Sequence, residues 1–205
     1  MKRYLTVPVI ALILLSIWLP PGSAVGGVPT DQIKSTVDKA LVVLKDPRLK
    51  PASKTKERRE QLKQILFARF DFTEMAKRSL GANWRRRTPK EREEFVRLFS
   101  DLLERAYADT IESYGDEKIL YVGERLDGDY ADISSKVLTS KGDEFSLNYR
   151  AHFVVGEWRV YDVVVENISM VNNYRSQFNR VISNASYEEL VRRLRDKAAF
   201  PIQKN

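Results

Sequence analysis

From Trp158 to Phe178 the sequence passes from a strand into a helix with no Gly or Pro between them. Its first half is a β-branched and aromatic run, and its second half spaces Val171, Tyr174, Arg175 and Phe178 as one face of a helix. A helix that follows a strand without a breaker must begin close to the sheet edge, and Ser169 is placed to cap it. That junction is where a functional site is expected.

The preceding residues fix the other side of the sheet. Phe145, Leu147, Tyr149, Ala151, Phe153 and Val155 alternate with Glu144, Ser146, Asn148, Arg150 and His152, so one face is core and the other wet. Gly156-Glu157 reads as a two-residue turn with glycine first, pairing Val155 with Trp158. In that register Trp158, Val160, Asp162 and Val164 join the apolar face, with Asp162 opposite Ala151. Ile119–Glu124 and Tyr130–Thr139 supply two more strands, giving an antiparallel sheet of about four.

Helical spacing appears before and after this sheet. Ile33, Val37, Ala40, Leu41 and Leu44 define a first helix over 30–45, closed by Pro47 and Pro51. A second runs over 53–70, with Lys54, Lys56, Arg58 and Arg59 read as a solvated face. Asp71 with Glu74 starts a third, ended by Gly81. Thr88, Pro89 and Glu91 open a long helix bearing Phe95, Leu98, Phe99, Leu102, Leu103, Ala106, Tyr107, Ile111 and Tyr114, ending at Gly115. Ser186 and Glu189 open a last helix reaching about Phe200. The fold class is therefore α+β: a helical part over about 30–115, a sheet over about 118–166, and C-terminal helices over about 169–200, with helices covering the apolar sheet face.

The first residues belong to a different kind of segment. Lys2 and Arg3 precede an apolar run from Leu5 to Leu19, followed by Pro20-Pro21 and Gly22-Ser23-Ala24, the pattern of a secretory signal over 1–24, with a transmembrane anchor as the competing reading. The remaining domain is then 25–205, and periplasmic. The chain has no cysteine, so neither a disulfide framework nor thiolate chemistry is available. Its formal charge is +7, and removing Lys2 and Arg3 leaves 33 basic against 28 acidic side chains. Export argues against nucleic acid as the partner of this basic surface and for anionic lipid or an acidic protein.

Catalytic constellations are scarce. The single histidine, His152, falls on the wet face, which removes Ser-His-Asp, Cys-His and histidine-metal arrangements, and no Gly-rich loop precedes Lys-Ser or Lys-Thr. Neither a metal nor a cofactor is expected. Asp162 has two readings: a general base in a sheet-lined pocket, as in isomerases built on similar cones, or a structural acid that accepts backbone N–H groups or pairs with an arginine, such as Arg175 just beyond the predicted helix start. Arg85, Arg86 and Arg87 form the most basic spot, either a docking patch or ordinary surface.

The stretch Phe70-Asp71-Phe72-Thr73-Glu74-Met75-Ala76, with Leu80-Gly81, Trp84, Glu91, Glu94, Phe95, Phe99, Tyr107 and above all Trp158 to Phe178, resembles the periplasmic phospholipid-binding proteins of the MlaC type, the toluene-tolerance family. It departs at Asn167, where the family usually has glycine, and at Met170, usually leucine. The resemblance implies a cystatin-like or NTF2-like cone of sheet and helix joined to a helical part. It also implies a non-enzymatic carrier of phospholipid serving an outer-membrane lipoprotein–porin complex and an inner-membrane ABC transporter complex; relatives in hopanoid export look similar. Lipid tails would then lie in a pocket walled by Phe95, Phe99, Leu103 and Tyr107 of the long helix, by Tyr149, Ala151, Phe153, Trp158, Val160 and Val164 of the sheet, and by Val171, Tyr174 and Phe178 of the helix after Ser169.

Overall fold

Strands β1 (Lys118–Asp127), β2 (Tyr130–Leu138), β3 (Glu144–Val154), β4 (Glu157–Val165) and β5 (Ile168–Ser169) form one antiparallel sheet in sequence order. The computed structural model describes residues 27–114, 117–197 and 200, so the expected signal segment and Gly115 lie outside the described residues. The α+β expectation holds, with one strand more than the four read from the sequence. Ile168 and Ser169 pair with Val165 and Val164 before the chain turns into helix.

The β3–β4 hairpin differs from its predicted register in two places. The turn residues are Val155 and Gly156, both left-handed at φ 48° and 85°, so Val154 faces Glu157 and Phe153 faces Trp158. Glycine is thus second in a turn whose two positive φ angles match the strand twist, and not first as predicted. Further along, Ala151 faces Val160 and Arg150 faces Asp162, which leaves Tyr161 as an extra residue in a bulge. One inserted residue reverses the facial alternation. Val163, not Asp162, continues the apolar face of Tyr149, Ala151, Trp158 and Val160, while Asp162 lies opposite Arg150 and Val164 opposite Asn148.

The helices of the described residues pack on both sides of the sheet, and the second of them packs against the first and the fourth. Helix α1 (Val28–Lys45) lies on the face just described, with Ile33 packed among Ala131, Ile133, Tyr149, Ala151 and Val160. Its N-terminus is capped from β1: one Glu124 carboxylate oxygen accepts from the Gly27 and Thr30 amides and the Thr30 hydroxyl, at 2.6–3.1 Å. After α2 (Thr55–Arg69), Phe70 bridges to Val160, and the Asp71 amide donates to the Val160 carbonyl at 2.8 Å. Asp71 then caps α3 (Phe72–Leu80), and Gly81 ends it at φ 55°. A 3-10 turn over Gly81–Arg86 leads to α4 (Pro89–Ser113), which opens with the predicted capping box of Thr88 and Glu91. Helix α5 (Met170–Asn184) is capped by the Ser169 hydroxyl and α6 (Tyr187–Arg195) by that of Ser186.

Helices α3 to α6 and Tyr161 of β4 bury a second core. At its centre Phe99 meets Tyr174 and Phe178 edge-on, with ring centroids 5.4 and 5.7 Å away, and Phe95 meets Phe178 at 5.7 Å. A third, smaller cluster joins Ala40, Val43 and Leu44 of α1 to Leu49 and to Leu62 of α2, with Ile111 and Tyr114 against it. Leu62 is the one buried residue of α2, with Ile65 packed beside it. The Phe67 ring lies 4.3 Å from that of Phe72, Arg69 donates to Thr36, Gln32 and the Trp158 carbonyl, and ion pairs add further ties. Arg58 and Arg59 reach Glu112 at 3.3 and 2.9 Å, Arg59 also reaches Asp109 at 2.6 Å, and Lys63 reaches Glu104 at 2.7 Å. Part of the basic run read as solvated therefore holds α2 to α4. No helix among the described residues is long and apolar enough to cross a membrane.

Candidate functional site

The β4–β5–α5 corner is built on Asp162. Because the bulge at Tyr161 turns it away from the α1-covered face, its carboxylate reaches the start of α5, where it is 3% exposed. Oδ1 accepts from the Val171 amide at 3.0 Å, and Oδ2 accepts from the Ser169 hydroxyl at 2.6 Å and from Arg150 at 3.1 Å. Ser169 in turn accepts from the Asn172 amide. Asp162 and Ser169 thus each satisfy one amide that a helix start leaves without an intrahelical partner, and tie strand to helix. Arg175 is not its partner: the places around the carboxylate are filled from β3 and from the first turn of α5, and Arg175 lies further along that helix.

Arg175 instead projects beside Gly81, where an added Cβ would fall 2.9 Å from its Nε. It lines an open groove of about 620 Å³ together with Glu74, Lys77 and Arg78 of α3, Trp84 and Arg85 of the turn after it, Arg125, Asp132 and Arg150 of the sheet, and Asp162, Val171 and Asn172. The Arg78 guanidinium lies over the Tyr161 ring, 4.0 Å from its centroid. The groove is polar, at the junction where a site was expected, and sequence reading found only part of it. Arg150 was assigned to plain solvent, whereas it links Asp162 and, at 3.7 Å, Asp132.

The predicted lipid-contacting residues do not form one wall. Phe95, Phe99, Leu103, Val171, Tyr174 and Phe178 belong to the helical core, with Tyr107 packed at its edge. Tyr149, Ala151, Trp158 and Val160 belong to the other core, under α1. Strand β4 separates the two sets, because the bulge gives Tyr161 to one and Val160 to the other. Phe153 is 43% exposed, with its ring 5.4 Å from that of Trp158 at the sheet end, and Val164 packs in neither core. Phe70 and Met170 touch both cores and bridge them. Buried phenols mark both interiors: desolvation pushes the Tyr107, Tyr121 and Tyr149 hydroxyls far above the usual tyrosine range. The Tyr107 and Tyr174 hydroxyls face each other without reaching good hydrogen-bond geometry.

The basic cluster also separates. Arg87 folds inward, stacking 4.3 Å over Tyr187 and pairing with Glu91 at 3.3 Å. Arg85 turns to the groove, and Arg86 is exposed. The three cannot act as one patch because the capping turn before α4 points them in different directions. His152 is only partly exposed: its Nε2 lies 3.0 Å from Asp71 Oδ2, and its ring sits beside those of Tyr130 and Tyr161. Among the described residues no three His, Cys, Asp or Glu side chains gather as metal ligands.

The family model described as MlaC protein matches residues 34–196, most of the chain. The chain belongs to the MlaC family. Among MlaC relatives, it is 27% identical over 128 residues to the intermembrane phospholipid transport system binding protein MlaC of Haemophilus influenzae; that match spans 60% of this chain and 60% of the relative. It is 25% identical over 152 residues to toluene tolerance protein ttg2D of Pseudomonas putida, covering 73% and 71% of the two chains. Its fold is similar to a phospholipid-binding protein of Ralstonia solanacearum solved in complex with a phospholipid. The TM-score is 0.75 at 25% identity, over 83% of this chain and 97% of that one. Within this MlaC chain, Asn167 takes φ 63° in the β4–β5 turn, a conformation that asparagine tolerates better than most residues.

Proposed function

We propose that this chain is a periplasmic phospholipid carrier that takes up acyl chains in its apolar interior and passes lipid between an outer-membrane complex and an inner-membrane transporter. The observation that carries this reading is the fold similarity, over nearly the whole of its chain, to a protein solved with phospholipid bound. The chain's own chemistry supports it. Asp162, the best acid for an isomerase-like reaction, has both oxygens engaged by structural donors, which favours a carrier over a catalyst.

Energetics say how such a carrier must work. At ~0.8 kcal/mol per CH₂, two acyl tails leaving water gain roughly 20 kcal/mol, near the ceiling of non-covalent affinity. Lipid held that tightly does not leave through solvent, so it must pass directly into another apolar site. The tails would contact the sheet face at Tyr149, Ala151, Trp158 and Val160, and the helical side at Leu103 and Tyr107, with Met170 and Phe70 between them.

The test is native mass spectrometry of protein purified from the periplasm, followed by lipid uptake from phosphatidylethanolamine and phosphatidylglycerol vesicles. A co-purifying phospholipid, with uptake by delipidated protein, is the expected result. An isoprenoid hydrocarbon in its place would move the chain to the hopanoid branch. Protein that is folded, lipid-free and inert toward every vesicle would sink the carrier.

A further inference from the structure

We propose that the groove between α3, the turn after it, the sheet and the first turn of α5 binds a phosphate-type oxyanion, with Arg85 and Arg175 as its direct ligands. Six cationic side chains line it, Lys77, Arg78, Arg85, Arg125, Arg150 and Arg175, against three carboxylates, Glu74, Asp132 and Asp162. Each carboxylate is already committed. Glu74 takes Lys77 and Arg78, both at 2.9 Å. Asp132 takes Arg125 at 2.6 Å and Arg150 at 3.7 Å, and Asp162 takes Arg150, Ser169 and the α5 amide. Arg85 and Arg175 therefore share a concave, solvent-open space with no acid left to neutralise them.

The chain also leaves room for Arg175 in the groove. Gly81 leaves its backbone bare where the Arg175 guanidinium lies, and its φ of 55° disfavours any side chain there. A guanidinium at this place offers a planar fork of donors, which suits a tetrahedral oxyanion better than a flexible ammonium does. Arg78, fixed over Tyr161, and Lys77 add positive potential without needing to move. The inner end of the groove is lined by Val171, which also belongs to the helical core, so an anion here sits one side chain away from apolar interior.

Two sources could present such a group, a phospholipid headgroup or a free phosphate. The headgroup source rests on the carrier reading above; the anion site itself does not. The direct experiment titrates ¹⁵N-labelled protein with sodium phosphate against a chloride control of equal ionic strength, in wild type, Arg85→Gln, Arg175→Gln and the double variant. Expected are saturable shifts at the amides of Gly81, Trp84, Val171 and Asn172, weakened roughly tenfold by either substitution and reduced as salt rises. Both side chains are exposed, so melting temperatures should stay at the wild-type value; should Arg175→Gln fail to fold, Arg85→Gln alone carries the comparison. Shifts scattered over the basic surface, or equal in wild type and variant, would overturn the site. Uptake from phosphatidylcholine vesicles doped with phosphatidylglycerol or with diacylglycerol then separates the sources. Loss of phosphatidylglycerol uptake alone in the double variant identifies the headgroup, and unchanged uptake with lost phosphate binding identifies a free anion. A wild type that binds phosphate but takes up neither lipid keeps the site and removes the carrier.

Discussion

Asp162 holds three donors from three segments, β3, β5 and α5, at a position with almost no solvent access. Replacing it by asparagine keeps the shape but puts an N–H₂ where a second oxygen stood, so at least one donor must lose its acceptor. We expect Asp162→Asn to lower the unfolding free energy by about 2–4 kcal/mol, the range for a charge-assisted network broken from one side. Urea unfolding measures it, and the surviving folded protein should still carry lipid. A variant of wild-type stability that had lost all lipid would return Asp162 to a direct functional role. Arg150 shows why the pairing was hard to read from sequence. Arg150 and Arg175 are about equally far from Asp162 along the chain, so sequence separation does not choose between them; cross-strand pairing does, and that pairing depends on a bulge.

Among the elements, the β3–β4 hairpin carries a local conflict. Val155 is β-branched, almost fully exposed and left-handed at φ 48°, a combination disfavoured by roughly 1–2 kcal/mol. Val155→Asn gives the Asn-Gly pair that this turn prefers, and should stabilise the protein by about 1 kcal/mol, seen as a higher melting temperature. A lower value would show that the valine side chain makes a stabilising contact at the tip. Helix starts were legible because their chemistry is local: Asp71, Thr88, Ser169 and Ser186 all cap as their neighbours in sequence suggest. The alternation of β2 and β3 was legible for the same reason. Tyr161 was not, since Val160, Tyr161, Val163 and Val164 are all apolar and a run of that kind hides a change of face. From that one residue followed the wrong side for Asp162 and the merging of two cores into one supposed pocket.

At the scale of the whole molecule, β4 is shared. Val160 and Val163 serve the core under α1, while Tyr161 serves the core of α3 to α6, so both depend on one strand. The end of helix α2 joins this arrangement through Phe67 on Phe72 and through Arg69, which donates to the Trp158 carbonyl, Gln32 and Thr36. Its first half is held by Leu62 and by the Arg58, Arg59 and Lys63 pairs to α4. The partly exposed pairs of Arg59 with Asp109 and of Lys63 with Glu104 contribute about 0–1 kcal/mol each and weaken with salt, while the largely buried Arg58–Glu112 pair is screened less. The consequence is a separate breathing motion, in which the first half of α2 detaches while the Arg69 end of the helix, the sheet and both larger cores stay shut. Hydrogen exchange should report it: amides of Arg59 to Lys63 lose protection between 50 and 500 mM NaCl (about 14 to 4 Å of screening length), while those of α5 and β4 do not change. Uniform loss across the chain would mean that α2 opens only with everything else. If the first half of α2 does breathe alone, trypsin will make its first cuts among Arg58, Arg59 and Lys63, and the rate of that nick will set how long the protein survives wherever proteases reach it.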